Sequence, residues 1–305
     1  MQCGLIFAFA LLFRFMSCGD AAWIHEKEAG SLDWHYARLG APTVILACPI
    51  PEGVSEVEWK VNGTSRGVLA RGNSDLVVRN ASLDQEGTYS CHKATTGETL
   101  HRVHLKLGYP PEKLSIQCRS VSYSSINCSW ALGTEPHLGT SFFSTYRHGM
   151  QGEEFECVQP DSGANSCSIS NVEMFSTYPY MLNVTAVNPL GMVTDIAYVF
   201  LDQILKPDPP EDLKFSPIPG NRRKLLLEWK PPSSWMYSEY FPLRYLIRYS
   251  RNGVNNSNMA RPTEQTTLVL TGIRPGATYT AWVAAKDSLD IGQYSDWSSP
   301  AMGTP

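Results

Sequence analysis

The sequence predicts an all-β protein built of sandwich domains. Three observations carry this. After the first 19 residues no long segment repeats its apolar positions with a 3.6-residue period. Short runs that alternate, or are wholly apolar, appear instead between Gly, Pro, Asn and Ser. The 305 residues are 43% hydrophobic and 18% charged, enough for two or three globular domains of about 100–150 residues each. The formal net charge of −4 offers no basic face to a phosphate backbone, so nucleic acid is not an expected partner.

Residues 5–13 form an apolar core followed by the small residues Ser17, Cys18 and Gly19. This reads as a secretory leader at 1–19, although Arg14 follows the core and no Lys or Arg precedes it. The rival reading is a buried core segment. The run falls far short of the roughly 18–20 apolar residues of a membrane span. The C-terminus lacks the small-residue site, spacer and apolar tail of a lipid anchor. A secreted, extracellular chain without membrane insertion is therefore expected. Of the eight cysteines, Cys3 and Cys18 leave with the leader. The remaining six, an even number, fit an oxidising compartment and allow fifteen pairings. Sequons at Asn62, Asn80, Asn127, Asn183 and Asn255 are candidate glycosylation sites and agree with export.

The first block spans residues 20–107. Residues 44–48 form a strand ending in Cys48, and 57–61 alternate around Trp59 before the Asn62-Gly63 turn signal. Tyr89 precedes Cys91 by two. An immunoglobulin-like sandwich packs a Trp on a disulfide between its B and F strands, with a Tyr two residues before the second Cys. The spacing thus pairs Cys48 with Cys91. A metal site is the poorer reading, because no CxxC or compact Cys/His cluster exists.

The second block spans 108–205. Cys118 and Cys128 lie ten residues apart on two short strands around a Ser-rich connection, within disulfide reach across one hairpin, and Cys157 and Cys167 repeat that spacing. Three prolines within 206–211 cannot enter a sheet interior and mark a stiff hinge. The third block, 212–305, has no cysteine. Its segment 273–279, a turn and then Tyr279 opening a strand, is typical of fibronectin type III modules. The expected architecture is an N-terminal immunoglobulin-like sandwich followed by two fibronectin type III sandwiches.

Two close cysteine pairs, a proline hinge and the terminal Tyr294-Ser295-Asp296-Trp297-Ser298 occur in that order. Together they resemble the cytokine-binding module of class I cytokine receptors, whose second half carries Trp-Ser-x-Trp-Ser. The resemblance covers residues 116–305. Within the family, the stretches 146–150, 174–176, 182–187 and 206–211 are most similar to a secreted, receptor-like cytokine subunit, from which the chain departs by its immunoglobulin-like block. In such modules the terminal motif stacks aromatic rings on cationic side chains. The resemblance implies a ladder of Arg244, Arg248, Lys286, Tyr294 and Trp297, shortened or weakened by Tyr294 in place of the first Trp. The alternative is that Arg248 and Lys286 are solvated charges on a sheet face.

The resemblance also implies a binding surface. Loops at the elbow of the two fibronectin domains would grip one helix face of a four-helix-bundle cytokine. The matching positions are Phe175 with Tyr178 nearby, then Tyr237, Glu239 and Tyr240, then Leu289, Asp290 and Ile291. Large side chains in loops suit interface hot spots. Alternatively, Phe175 and Tyr240 fill the domain joint. The implied function is a subunit of a heterodimeric cytokine for immune signalling, engaging signalling receptor chains of the same family. Two other readings stay open: a ligand-binding receptor α chain without its membrane tail, and an adhesion protein of immunoglobulin and fibronectin domains. No cofactor or metal is expected. Catalysis is not expected either, because phosphate-loop, HExxH and G-x-S-x-G motifs are absent and His101 and His104 point to opposite faces of one strand.

Overall fold

The structure is a computed structural model. It describes residues 32–305 except 55, 72–73, 162–163, 171, 237 and 255, with backbone alone at 65–71. The expected leader, the start of the first block, the candidate contact Tyr237 and the sequon Asn255 lie outside the described residues.

The first seven strands are β1 (Leu32–Arg38), β2 (Thr43–Leu46), β3 (Glu56–Val61), β4 (Thr64–Arg71), β5 (Leu76–Arg79), β6 (Gly87–Lys93) and β7 (Thr99–Gly108). They form a five-stranded sheet in the order β1-β7-β6-β3-β4 and a two-stranded sheet of β2 and β5. Trp59 is fully buried in β3 and lies in register with Cys91 of β6. Cys91 is bonded to Cys48. The Trp59 indole N–H donates to Ser74 O at 2.9 Å, and the Ser74 hydroxyl donates to Cys48 O at 3.0 Å. The indole's polar edge is thereby satisfied inside an apolar core.

The next seven strands are β8 (Leu114–Arg119), β9 (Ser125–Leu132), β10 (Ser141–His148), β11 (Glu154–Glu156), β12 (Ser166–Ser170), β13 (Tyr180–Asn188) and β14 (Gly191–Val199), followed by the single turn α1 (Leu201–Ile204). One sheet has the order β12-β9-β8 and the other β11-β10-β13-β14. Disulfides join Cys118 to Cys128 across the β8–β9 hairpin and Cys157 to Cys167.

The last seven strands repeat this plan: β15 (Glu211–Pro217), β16 (Lys224–Lys230), β17 (Leu243–Arg251), β18 (Ser257–Met259), β19 (Thr267–Thr271), β20 (Tyr279–Asp287) and β21 (Ala301–Gly303). Their sheets have the orders β15-β16-β19 and β18-β17-β20-β21. In both repeats a tyrosine opens the penultimate strand and accepts a backbone N–H from the preceding turn. Tyr180 takes the N–H of Glu173 at 2.7 Å, and Tyr279 that of Arg274 at 3.0 Å. The protein is all-β, with immunoglobulin-like and fibronectin type III sandwiches.

Two compact units divide the chain. Of the described residues, one takes in 32–35, Ile45–Val78 and Gly87–Leu105, and the other Tyr36–Val44, Arg79–Glu86 and Lys106–Pro305. Within the second, one hydrophobic core runs through both fibronectin sandwiches, from Leu182 and Ile126 past Tyr123 and Leu205 to Trp229 and Ile247.

Candidate functional site: the elbow of the two fibronectin sandwiches

The hinge is held from both sides. Prolines leave carbonyls without matching N–H groups, and the Arg119 guanidinium at the end of β8 takes up two of them. It donates to Lys206 O at 3.0 and 3.1 Å, to Pro207 O at 3.0 Å and to the Asp208 carboxylate at 2.8 Å. From the other sandwich, Ser234 donates to Asp208 at 2.6 Å and the Gln293 N–H donates to Leu205 O at 2.8 Å. Gly292 is in the left-handed region at φ 72°, and a Cβ there would stand 2.0 Å from Leu205 O. Only glycine fits that approach.

The joint is filled by Tyr123, from the Ser-rich connection between β8 and β9. Its ring centroid lies 4.8 Å from Phe241, 5.4 Å from Phe175 and 5.8 Å from Trp235, the last edge-on. Such tilted and T-shaped pairs suit the ring quadrupoles. The Tyr123 hydroxyl faces Asp287, the buried last residue of β20. Asp287 accepts the N–H groups of Leu289 at 2.9 Å and Ile291 at 3.4 Å, which shapes the loop that follows. Burial pushes the Asp287 carboxyl above the usual carboxylate range, against the pull of these hydrogen bonds and of Arg244. Burial, and then the neighbouring carboxyl, push the Tyr123 phenol up as well.

Around this buried post stand exposed side chains. Phe175 is 56% exposed although its other edge meets Tyr123 and Phe241. Tyr178 is 66% exposed, Tyr240 77% and Leu289 65%. Glu239 is exposed and Ile291 half-buried. Phe175, Tyr123, Phe200 and Ile291 line an open cleft of about 520 Å³. Asp290, in the same loop as Leu289, is bound internally: its carboxylate pairs with Lys286 and Arg244, and the Lys286 hydrogen bond holds it below the usual range. Tyr240 points to solvent, whereas its neighbour Phe241 enters the joint.

The terminal motif lies along β20. Ser295 and Ser298 are both buried, and each pairs twice with that strand. Their N–H groups donate to Ala285 O and Val283 O, and their hydroxyl oxygens accept the N–H groups of the same two residues at 2.9 and 3.0 Å. A serine hydroxyl thus stands where a ladder carbonyl would be. Above them Arg248 lies between the rings of Trp282 and Trp297, 4.6 and 4.7 Å from their centroids. Tyr294 lies 5.8 Å from Lys286 Nζ and 6.0 Å from the Arg244 guanidinium carbon. Asp296 binds Lys206 of the hinge at 2.8 Å, and that ammonium holds its carboxyl low.

Residues 114–198 match the family described as IL27B N-terminal FN3 domain, and 208–301 match the fibronectin type III domain. Interleukin-27 subunit beta of Homo sapiens is 41% identical over 203 residues, covering 64% of this chain and 88% of that protein. Ciliary neurotrophic factor receptor subunit alpha of Gallus gallus is 33% identical over 285 residues, covering 92% of this chain and 78% of its own. Interleukin-11 receptor subunit alpha-2 of Mus musculus is 33% identical over 286 residues, covering 88% and 65%.

The chain belongs to the class I cytokine receptor family. Its relatives are cytokine-receptor-type proteins, not enzymes. Among the described residues no helix is long and apolar enough to cross a membrane.

Several residues of this family member's elbow and ladder were missed by sequence reasoning: Tyr123, Trp235, Phe241, Asp287, Arg119 and Trp282. Trp282 alone had a signal, since it shares a strand face with Lys286 by period-2 spacing. Of the sequons, Asn62, Asn80 and Asn127 are exposed. Asn62 also accepts the Thr88 N–H at 2.9 Å. Asn183 is half-buried in mid-β13, and its Oδ1 is shielded from solvent without a partner.

Proposed function

We propose that the chain is a secreted cytokine-receptor-like subunit that binds a four-helix-bundle cytokine at the elbow, through Phe175, Tyr178, Tyr240 and the loop of Leu289 and Ile291. The observation that carries this is the mixture at one joint. Phe175 stays exposed while resting on a buried aromatic post, and Tyr178, Tyr240 and Leu289 are exposed in the loops beside it. A rigid support with exposed aromatics loses little entropy on binding, which is what a hot spot requires. Asp290 serves this surface indirectly, by holding its loop to Lys286 and Arg244. The complex would act as a heterodimeric cytokine on signalling chains of the same family. Asn62, Asn80 and Asn127 are the sequons best placed to carry glycans. The domain limits fitting this reading are 20–107, 108–205 and 212–305, with the hinge at 206–211.

The test is to secrete the tagged chain from cultured cells and identify what co-purifies from the medium. A stoichiometric small helical protein is expected. Phe175→Ala with Tyr240→Ala is expected to weaken its binding by at least about tenfold. If no helical cytokine is captured, and neither ciliary neurotrophic factor nor interleukin-11 binds when added, the proposal fails. A second reading is a ligand-binding receptor α chain. It is favoured by the similarity to a receptor α subunit over 92% of the chain, the immunoglobulin-like part included. Binding of added cytokine, without a partner acquired during secretion, would select it.

A further inference from the structure

The loop before β13 carries two of the exposed aromatics, Phe175 and Tyr178. Phe175 holds φ 58°, in the left-handed region that a bulky L-residue enters only at a cost. A residue in that state stays there only if its neighbours are fixed. The side chain that touches those neighbours is His148, the last residue of β10.

Its two ring nitrogens reach both sides of Phe175. Nδ1 lies 2.8 Å from Glu173 Oε2, and Nε2 lies 2.8 Å from Ser176 Oγ. The same Ser176 oxygen accepts the Tyr178 N–H at 3.1 Å. The imidazole is stacked on Tyr180, with centroids 4.5 Å apart and planes 23° apart, and the Tyr178 ring meets it edge-on at 6.5 Å. The neighbouring Gly149 N–H donates to Pro179 O at 2.9 Å and closes the base of the loop.

From this we infer that His148 is a positioning residue, which holds Phe175 and Tyr178 in the conformation that meets the cytokine. The inference rests on the elbow reading above. In the neutral ring the carboxylate draws the proton to Nδ1, which donates to Glu173. Nε2 then accepts the Ser176 O–H, and the Ser176 oxygen is left to accept the Tyr178 N–H. One side chain thereby orders the six residues 173–178 around a strained aromatic. Leucine fills similar space and makes neither bond. Glutamine supplies an NH2 donor and one carbonyl acceptor, so it replaces both bonds in kind.

The test has two readouts on the full secreted chain. In amide hydrogen exchange, His148→Leu is expected to speed exchange in residues 173–178 by about tenfold or more, with the melting temperature unchanged and His148→Gln restoring most of the protection. Exchange equal to wild type in that segment overturns the inference, whatever the chain binds. The second readout is the off-rate of the helical cytokine captured by co-expression. It is expected to rise with His148→Leu and to show no further rise when that change is added to Phe175→Ala combined with Tyr178→Ala. If the loop loosens while the off-rate stays fixed, the placement of the cytokine on Phe175 falls, and with it the positioning role.

Discussion

Arg248 shows how much one side chain can contribute on a sheet face. Its guanidinium is covered on both sides by indoles, Trp282 at 4.6 Å and Trp297 at 4.7 Å. Each stack stabilises by about 0.5–2 kcal/mol, more as water is excluded. Arg248→Ala is therefore expected to cost about 1–3 kcal/mol in urea unfolding. Arg248→Lys should recover only part, since an ammonium cannot stack as a plane. Equal stability of all three proteins would mean that the charges are merely solvated. The Tyr294 end of the ladder is weaker, because both cations stand near the roughly 6 Å limit of such contacts. Ser298 gives a sharper test. Its hydroxyl is the acceptor for the Val283 N–H inside the sheet, so Ser298→Ala leaves that donor stranded. A loss of about 1–3 kcal/mol is expected, and reduced secretion from cells would accompany it.

The strand that carries these contacts is β20, which is buried along both faces. Tyr279, Ala281, Val283 and Ala285 face the core, while Thr280 and Ala284 are buried on the opposite face, which also carries Trp282 with Arg248 stacked between it and Trp297. The motif itself pairs along the edge of β20, through the Ser295 and Ser298 bonds to Ala285 and Val283, and so extends the sheet. β20 ends in Asp287, whose carboxyl is raised by burial. The folded chain holds that proton more tightly than the unfolded chain does. Its contribution is thus full below the ordinary carboxylate range and is lost as pH rises through the raised folded value. Asp287→Asn keeps the acceptor for Leu289 and never ionises. Its stability relative to wild type is expected to increase as pH rises from about 4 to 7. Parallel profiles in thermal unfolding would show that the carboxyl is not strained by its burial.

At the scale of the two fibronectin sandwiches, the elbow is set by a hydrogen-bonded hinge and a shared core. Arg119 makes four contacts to 206–208. Lys206 in turn binds Asp296 of the terminal motif, which links the hinge to the ladder. Arg119→Ala is expected to leave each sandwich folded but to broaden the distribution of angles between them. Solution scattering of the secreted chain would record this as increased flexibility. Cytokine binding should weaken at the same time, because a looser joint must be ordered on association. Unchanged scattering and affinity together would show that the core around Tyr123 sets the angle alone.

Sequence by itself determined the fold class and the family. Period-2 runs, the Cys48–Trp59–Tyr89–Cys91 spacing, the proline hinge and the terminal Ser-Asp-Trp-Ser are local patterns, and local patterns survive in one dimension. It also marked the exposed aromatics Phe175 and Tyr240 as notable, without separating contact from joint. Tertiary structure alone showed what fills the joint: Tyr123 and Phe241 do, Phe175 rests on both while half its surface stays open, and Tyr240 faces solvent. It alone brought Trp282 over Arg248, through the β17–β20 register. It alone set Asp287 beside Tyr123, which lies 164 positions earlier in the chain. The reason is physical. Periodicity records which face of a strand a side chain takes, but a partner across a register or a domain joint depends on how separate elements pack.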